Sequence, residues 1–379
     1  SRESELAARF RDAASGLVLA STMVTLTGAV GWWIGRGRER GLVHHLVPAL
    51  VAVELLMFGH PWLQTSRVAD KREPSSRVRA AVGHSAGVYR LACLCDEESK
   101  LFNRFMLDRF ETVGGAEDLL PRRYSYFLYA LSGQPPFLQH VFAFGPDTPR
   151  PVKRQFLDLL NVRYYVCPRG AHDTYAIDLA GDPLLKAGVF TYRETSYDLF
   201  ENPDAADRAV IVHRWQQVER LEELESRAVS DQDLLVRLEQ RLEPLIRQGF
   251  AGGTTIEDDP GIEVSPTAES TSSVGEQVTI VSHEAHRVVA RVRLDRPGLV
   301  VFSDTWTPDW RATVDGRPGR VLPANLFMRA VPCDAGEHTI ELRYVSATFR
   351  AGAWLSLGSL ILLSVLAAVS WRTPARPVE

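Results

Sequence analysis

Long apolar runs lie near both ends of the chain, and between them polar and apolar residues alternate. Residues 16–34 (GLVLASTMVTLTGAVGWWI) carry no charge, and about 19 such residues are enough for one bilayer-spanning helix. Trp32 and Trp33 close that run, where interfacial aromatics belong. A second apolar run, 41–63, is interrupted by His44, His45, Pro48, Glu54 and His60. A third, 353–371, lies near the C-terminus. The pattern predicts a membrane protein with α-helical spans: a connector over 1–15, a transmembrane hairpin over 16–63 and a last span within 349–379. The arginines of the GRGRER loop, with Arg372 and Arg376, favour cytoplasmic ends. The long middle region then lies outside, in a multi-pass membrane protein whose solvent on three segments is the lipid bilayer.

The middle region reads as an extracytoplasmic α+β region ending in a small antiparallel β-sandwich. Over 64–213, strands are expected at 88–94, 163–167 and 209–212, helices at 100–110, 122–131 and 152–161, and a β-hairpin at 190–200. Residues 214–276 form a charged helical segment and linker. There Leu221, Leu224, Leu234, Leu235, Leu238, Leu242 and Leu245 recur at helical spacing. Ser230 with Asp233 makes a capping-box-like start, and Pro244 interrupts the pattern. Over 277–348 short alternating runs are cut by turn formers. Asp315-Gly316 is a favoured hairpin dipeptide, and Ile340, Leu342 and Tyr344 put every second side chain on one face.

Composition narrows the classes of function. A formal net charge of -4 over 379 residues, with no long basic patch, excludes an obvious nucleic-acid binder. The four cysteines, Cys93, Cys95, Cys167 and Cys333, have no metal-ligand spacing, and no metal site is expected. An outer location would permit one disulfide, for example Cys167 with Cys333. The chain starts at Ser1 without a signal-like segment, so Ser1 is expected to be an internal residue of a longer protein.

Three sets of residues are candidates for chemistry. Asp304, Trp306, Asp309, Trp310 and Asp315 pair indoles, which stack on sugar ring faces, with carboxylates that bind hydroxyls. The same residues also fit a structured turn, with Trp310 in the core and Asp304 or Asp315 capping a loop. A glycosidase-like acid/base pair would need two carboxyls across a bond, and Asp258-Asp259 falls in the linker. Glu54, inside the second apolar run, faces either a polar pathway or a packing contact with other helices. Nucleotide-binding and zinc motifs are absent from the sequence, and no cofactor is evident.

Several blocks occur together in order: LLNVRYYV over 159–166, LFENP over 199–203, WRATVDG over 310–316, RAVP over 329–332 and AGEHT over 335–339, then Tyr344. In this combination the chain resembles the C-terminal part of YfhO-type bacterial membrane proteins, multispanning relatives of the GT-C glycosyltransferases. The resemblance implies transfer of sugar from a polyprenyl-phosphate donor to a cell-envelope acceptor, with lipid-linked sugar or glycan as partner. The family's catalytic aspartate lies in a first outer loop that no position here matches, so the catalytic residues are unknown. The competing expectation is a non-catalytic, membrane-anchored module that binds glycan or protein.

Overall fold

The structure, a computed structural model, describes residues 77–80, 82, 89–94, 105, 110–113, 115–116, 121–132, 141–142, 152–170, 177–178, 185–192, 195–262 and 275–372. All lie within one unit, Lys71–Glu379. In chain order, β1 (Arg90–Cys93) and β2 (Glu111–Val113) precede helices α1 (Arg122–Ser132) and α2 (Arg154–Leu159). Then come β3 (Val162–Pro168), β4 (Leu185–Tyr192), β5 (Thr195–Glu201), β6 (Ala209–Val212) and β7 (Trp215–Gln217). Helices α3 (Leu221–Arg227) and α4 (Asp231–Gln248) lead to β8 (Thr254–Ile256). The remainder is β9 (Gln277–Glu284), β10 (Arg287–Leu294), β11 (Gly298–Phe302), β12 (Trp310–Val314), β13 (Arg317–Gly319), β14 (Leu322–Ala324), β15 (Met328–Cys333) and β16 (Gly336–Tyr344), followed by α5 (Ala347–Arg372).

Three sheets organise these strands. The first, in order β2-β1-β3-β5-β4, joins its first three strands in parallel and the rest antiparallel. The second runs β6-β11-β15-β14-β8-β7 and the third β9-β10-β16-β12-β13. The central strand β11 (GLVVF) is buried at every position, because the second sheet is covered on both faces and successive side chains point opposite ways. Leu299 and Val301 pack with the helices and the first sheet, whereas Val300 and Phe302 meet Val288, Ala290, Ile340 and Leu342 of the third sheet. Strand β3 divides in the same manner, with Tyr165 and Cys167 on the helix side and Tyr164 and Val166 on the other.

The charged segment is held by its leucine stripe. Leu234, Leu235, Leu238, Leu242 and Leu245 of α4 are buried against the helix-side core. The helix continues through Pro244, which the sequence pattern expects to interrupt it. Buried leucines on both sides of the proline supply the contacts that offset its lost hydrogen bond. At the N-terminus, the Ser230 hydroxyl accepts from the Asp233 N–H at 3.2 Å, and the Asp233 carboxylate accepts from the Val229 N–H at 3.2 Å. Ser230→Ala should lower stability by about 1 kcal/mol, read as a smaller urea midpoint at unchanged slope. An unchanged midpoint would mean that the leucine face alone holds the helix.

The membrane architecture expected from the apolar runs is corrected. Residues 353–371 fall inside α5, but no helix among the described residues is long and apolar enough to cross a membrane. The helical-span fold class, the transmembrane helices, the multi-pass bilayer location and the sidedness inferred from the arginines are not supported. The runs 16–34 and 41–63, with Glu54, lie outside the described residues. In place of an α+β region ending in a small sandwich, the described chain is mostly β-sheet. Its second sheet takes β6, β7 and β8 from well ahead of Gln277. Cys167 and Cys333 are buried and form no disulfide; Cys93 is disulfide-bonded. Burial pushes the Cys333 thiol up to about 12, helped by the charges of Asp315 and Asp334.

Candidate functional site

Two clusters of charge converge on the loop joining β11 to β12, residues 303–309. The first sits where the three sheets meet. Arg90 opens β1, Glu111 opens β2, Arg208 precedes β6, His283 lies near the end of β9 and Arg329 is on β15. All five gather round the buried Asp304. Its carboxylate lies 3.1 Å from Arg90 Nη2 and accepts from Arg208 Nε at 3.0 Å. His283 bridges the two carboxylates, with Nε2 3.4 Å from Asp304 Oδ2 and Nδ1 3.1 Å from Glu111 Oε1. Arg208 also pairs with Glu111, and Arg329 Nη1 stands 4.0 Å from Asp304. The Arg329 guanidinium lies 3.5 Å from the centre of the Trp310 ring.

The cluster sets its own charge states. Burial opposes ionisation of Asp304, but Arg208, His283, Arg329 and Arg90 outweigh it and hold the carboxyl well below its usual range. Burial also opposes a charged Glu111, yet the His283 hydrogen bond with Arg208 and Arg90 brings it to about 2. Burial disfavours charged His283, and its hydrogen bonds to Asp304 and Glu111 reverse that and raise its pKa. Burial, with repulsion from Arg208 and Arg90, lowers Arg329 to about 10. Ligand atoms of Glu111, His283 and Asp304 lie within 4.8 Å of one another, a spacing that could hold a metal ion. Three guanidiniums already occupy or face those oxygens, however, and a divalent cation would have to enter against their charge. The arrangement is an ionic knot, not a metal centre.

The second cluster lines a groove of about 550 Å³, a volume typical of small-molecule sites. Trp306 forms part of its wall. The indole is fixed from several sides: its Nε1 donates to the Val321 carbonyl at 3.2 Å, and its backbone N–H donates to the Phe327 carbonyl at 2.6 Å. The Arg123 guanidinium lies 4.8 Å from its ring centre. Arg123, from the first turn of α1, donates to both oxygens of Glu257 at 2.7 and 2.8 Å and to the Leu326 carbonyl at 3.1 Å. Glu257 also accepts from Arg241 of α4 at 2.7 Å and from the Leu221 N–H at the start of α3 at 3.3 Å. One buried carboxylate therefore ties three helices to the end of β8.

The turn between β14 and β15 completes this wall. Asn325 and Leu326 have φ of 47° and 73°, a left-handed conformation that costs a leucine some strain. The Asn325 side chain holds the turn by accepting from the Thr255 N–H at 2.9 Å and donating to Thr254 Oγ1 at 2.6 Å. Leu326 is fully buried, and its carbonyl receives Arg123. On the rim, Arg220 donates to Asp258 at 2.9 and 2.6 Å. Glu222 accepts from Arg123 at 3.1 Å and lies 3.4 Å from Arg122.

The five candidates of the 304–315 stretch do not form one site. Asp304 belongs to the ionic knot and Trp306 to the groove. Asp309 accepts from the Tyr344 hydroxyl at 3.3 Å. Trp310 is a core residue, packed with the third sheet and edge-on to Tyr344. Asp315 occupies the hairpin turn with φ of 54°, accepting from His338 at 2.7 Å and the Thr339 N–H at 2.8 Å. Asp258, expected in a linker, lines the groove, whereas Asp259 accepts from the Gly261 N–H. Arg90, Glu111, Arg208, His283 and Arg329, and Arg123, Glu222, Arg241 and Glu257, were not singled out by sequence reasoning. The available signal was a charge abutting or interrupting an apolar strand, as in Arg90-Leu-Ala-Cys, Arg208-Ala-Val-Ile-Val, Met328-Arg-Ala-Val and Thr254-Thr-Ile-Glu257.

Compared with protein-family models, with curated proteins and with solved structures, the chain matches none.

Proposed function

We propose that the protein is a glycan-binding module and that the Trp306 groove takes an uncharged oligosaccharide. The observation that carries this reading is an anchored indole on the groove wall, flanked by three arginines and three carboxylates: Arg122, Arg123 and Arg220 against Glu222, Glu257 and Asp258. Equal numbers of opposite charge give no net attraction to a charged ligand. Guanidiniums donate and carboxylates accept, and a sugar hydroxyl does both. The indole supplies the apolar surface on which a sugar ring stacks. Sugar is also the ligand class implied by the resemblance to YfhO-type proteins.

The transferase step that the resemblance also implies finds less support. Transfer to an acceptor hydroxyl needs a carboxylate free to take its proton, and each of the groove's three is engaged by an arginine: Glu222 and Glu257 by Arg123, Asp258 by Arg220. Burial opposes ionisation of Glu222, but its own backbone N–H and the charges of Arg123 and Arg122 outweigh it and leave its pKa lowered. The reading is therefore binding without chemistry.

Screening against immobilised neutral and acidic oligosaccharides, followed by calorimetry, tests it. Wild-type protein should bind neutral glycans, among them the β-1,4-linked N-acetylglucosamine tetramer used as a probe. Trp306→Ala should cost about 2 kcal/mol of binding, roughly thirtyfold in Kd, with an unchanged far-ultraviolet spectrum. Wild-type protein that binds no glycan, or a Trp306→Ala variant that binds as well as wild type, overturns the reading.

A further inference from the structure

The ionic knot grips the residues that lead into Trp306. The Ser303 carbonyl accepts from Arg90 at 2.8 Å, and the Ser303 N–H donates to the Arg208 carbonyl at 2.9 Å. Asp304 is held by Arg90, Arg208 and His283, and the Thr305 carbonyl accepts from Arg329 Nε at 2.9 Å. Three consecutive residues are thus fixed by side chains from the knot, and the next residue is the groove's indole. Arg329 then returns to cover Trp310, four residues further on. The loop bearing Trp306 is held at both ends by one set of charges.

Within that set His283 is the group that titrates nearest neutrality. Its two ring nitrogens each face a carboxylate oxygen, Asp304 at 3.4 Å and Glu111 at 3.1 Å. Only the imidazolium carries a proton on both nitrogens; the neutral ring has one N–H and one lone pair. Deprotonation therefore turns one of the two contacts from a charge-assisted hydrogen bond into a repulsion between lone pairs. The charged groups facing the ring are Glu111 from β2, Asp304 from the loop after β11 and Arg208 ahead of β6, with Arg90 of β1 and Arg329 of β15 behind Asp304. None but His283 changes charge between the acid range and mildly alkaline pH.

We infer that the ionic knot is the positioning device of the Trp306 groove, and that the protonation of His283 sets whether Trp306 is held in its binding position. This regulation rests on the glycan-binding reading for its consequence, but the positional coupling does not. His283 is a positioning residue: it acts on the groove through Asp304 and touches no ligand. The sign follows from the direction of its shift. The raised pKa means that the knot's contribution is complete below the ordinary histidine value of 6.5 and is lost as pH rises through the higher value in the folded protein.

The test uses the full chain labelled with 5-fluorotryptophan, the Trp306 fluorine resonance being assigned by its loss in Trp306→Phe. The resonance should shift with pH in one step whose midpoint lies above the ordinary histidine range. His283→Asn should abolish that step. Glu111→Gln, which removes one of the two negative charges facing the ring and leaves the ring, should move the midpoint down, so the test survives a poorly folded His283 variant. Affinity for the N-acetylglucosamine tetramer should fall about tenfold across the same midpoint. A Trp306 resonance that ignores pH in wild type, or that titrates unchanged in both variants, overturns the inference. A resonance that titrates as expected in a protein that binds no glycan upholds the coupling and rejects the glycan reading alone.

Discussion

Asp304→Ala is expected to destabilise the protein by about 3–5 kcal/mol, because removing one partner of a buried ion network leaves uncompensated charge. Arg90, Arg208 and Arg329 would remain at the junction of the three sheets with Glu111 as their neighbouring carboxylate among the described residues. Burial and the charge of Arg208 already lower the Arg90 pKa, and Asp304 is the largest influence opposing them. Asp304→Asn keeps the shape but supplies no charge and should also destabilise, by less. Urea midpoints measured at a common slope separate the cases. An Ala variant within about 1 kcal/mol of wild type would show that water readily replaces the carboxylate, and the knot would lose its structural role.

The same knot makes stability fall on acidification. The Glu111 carboxyl sits at about 2 and that of Asp304 well below its usual range. Both shifts are downward, so the stability they confer is fully present above the ordinary carboxylate values and is lost progressively as pH falls from those values through the lowered ones. A plot of stability against pH should therefore hold level down to about pH 5 and decline below about pH 4, and Asp304→Asn should flatten that decline.

Local patterning made much of this architecture legible, and long-range pairing hid the rest. The leucine spacing of α4, its Ser230 cap and the Asp315-Gly316 turn are local rules, and each is realised as a local structure. The apolar run 353–371 is helical, as α5, yet among the described residues no helix is long and apolar enough to cross a membrane. The second sheet pairs β6 with β11 and β8 with β14, strands far apart in sequence, so its extent ahead of Gln277 left no periodic trace. The sites show the same division. Trp306 was visible as an aromatic in a turn-rich stretch beside carboxylates. The knot was not visible, because Arg90, Arg208 and Arg329 each read as one charge at or near the start of an otherwise apolar strand. Their meaning depends on Asp304, which lies 214 residues from Arg90 in sequence.

Glu257→Ala should have a comparable effect on stability and a larger one on the groove. The carboxylate is 1% exposed and accepts from Arg123, Arg241 and the Leu221 N–H. Its loss strands two buried guanidiniums and one helix N-terminal donor, at a cost of about 3–5 kcal/mol. Arg123 would also lose the contact that holds it against Trp306, so the N-acetylglucosamine tetramer should bind undetectably even where the variant remains folded. A second variant separates the two effects. In Arg123→Met, Arg241→Met, Glu257→Leu, all three charges are replaced by apolar groups of similar size, and buried ion pairs exchanged in this way often retain or gain stability. The triple variant should therefore unfold at a higher urea concentration than Glu257→Ala while remaining unable to bind the tetramer. Full binding by the triple variant would show that the triad serves the fold alone. Stability no better than that of Glu257→Ala would show that the Leu221 N–H and the Leu326 carbonyl, left without partners, matter more than the charges do.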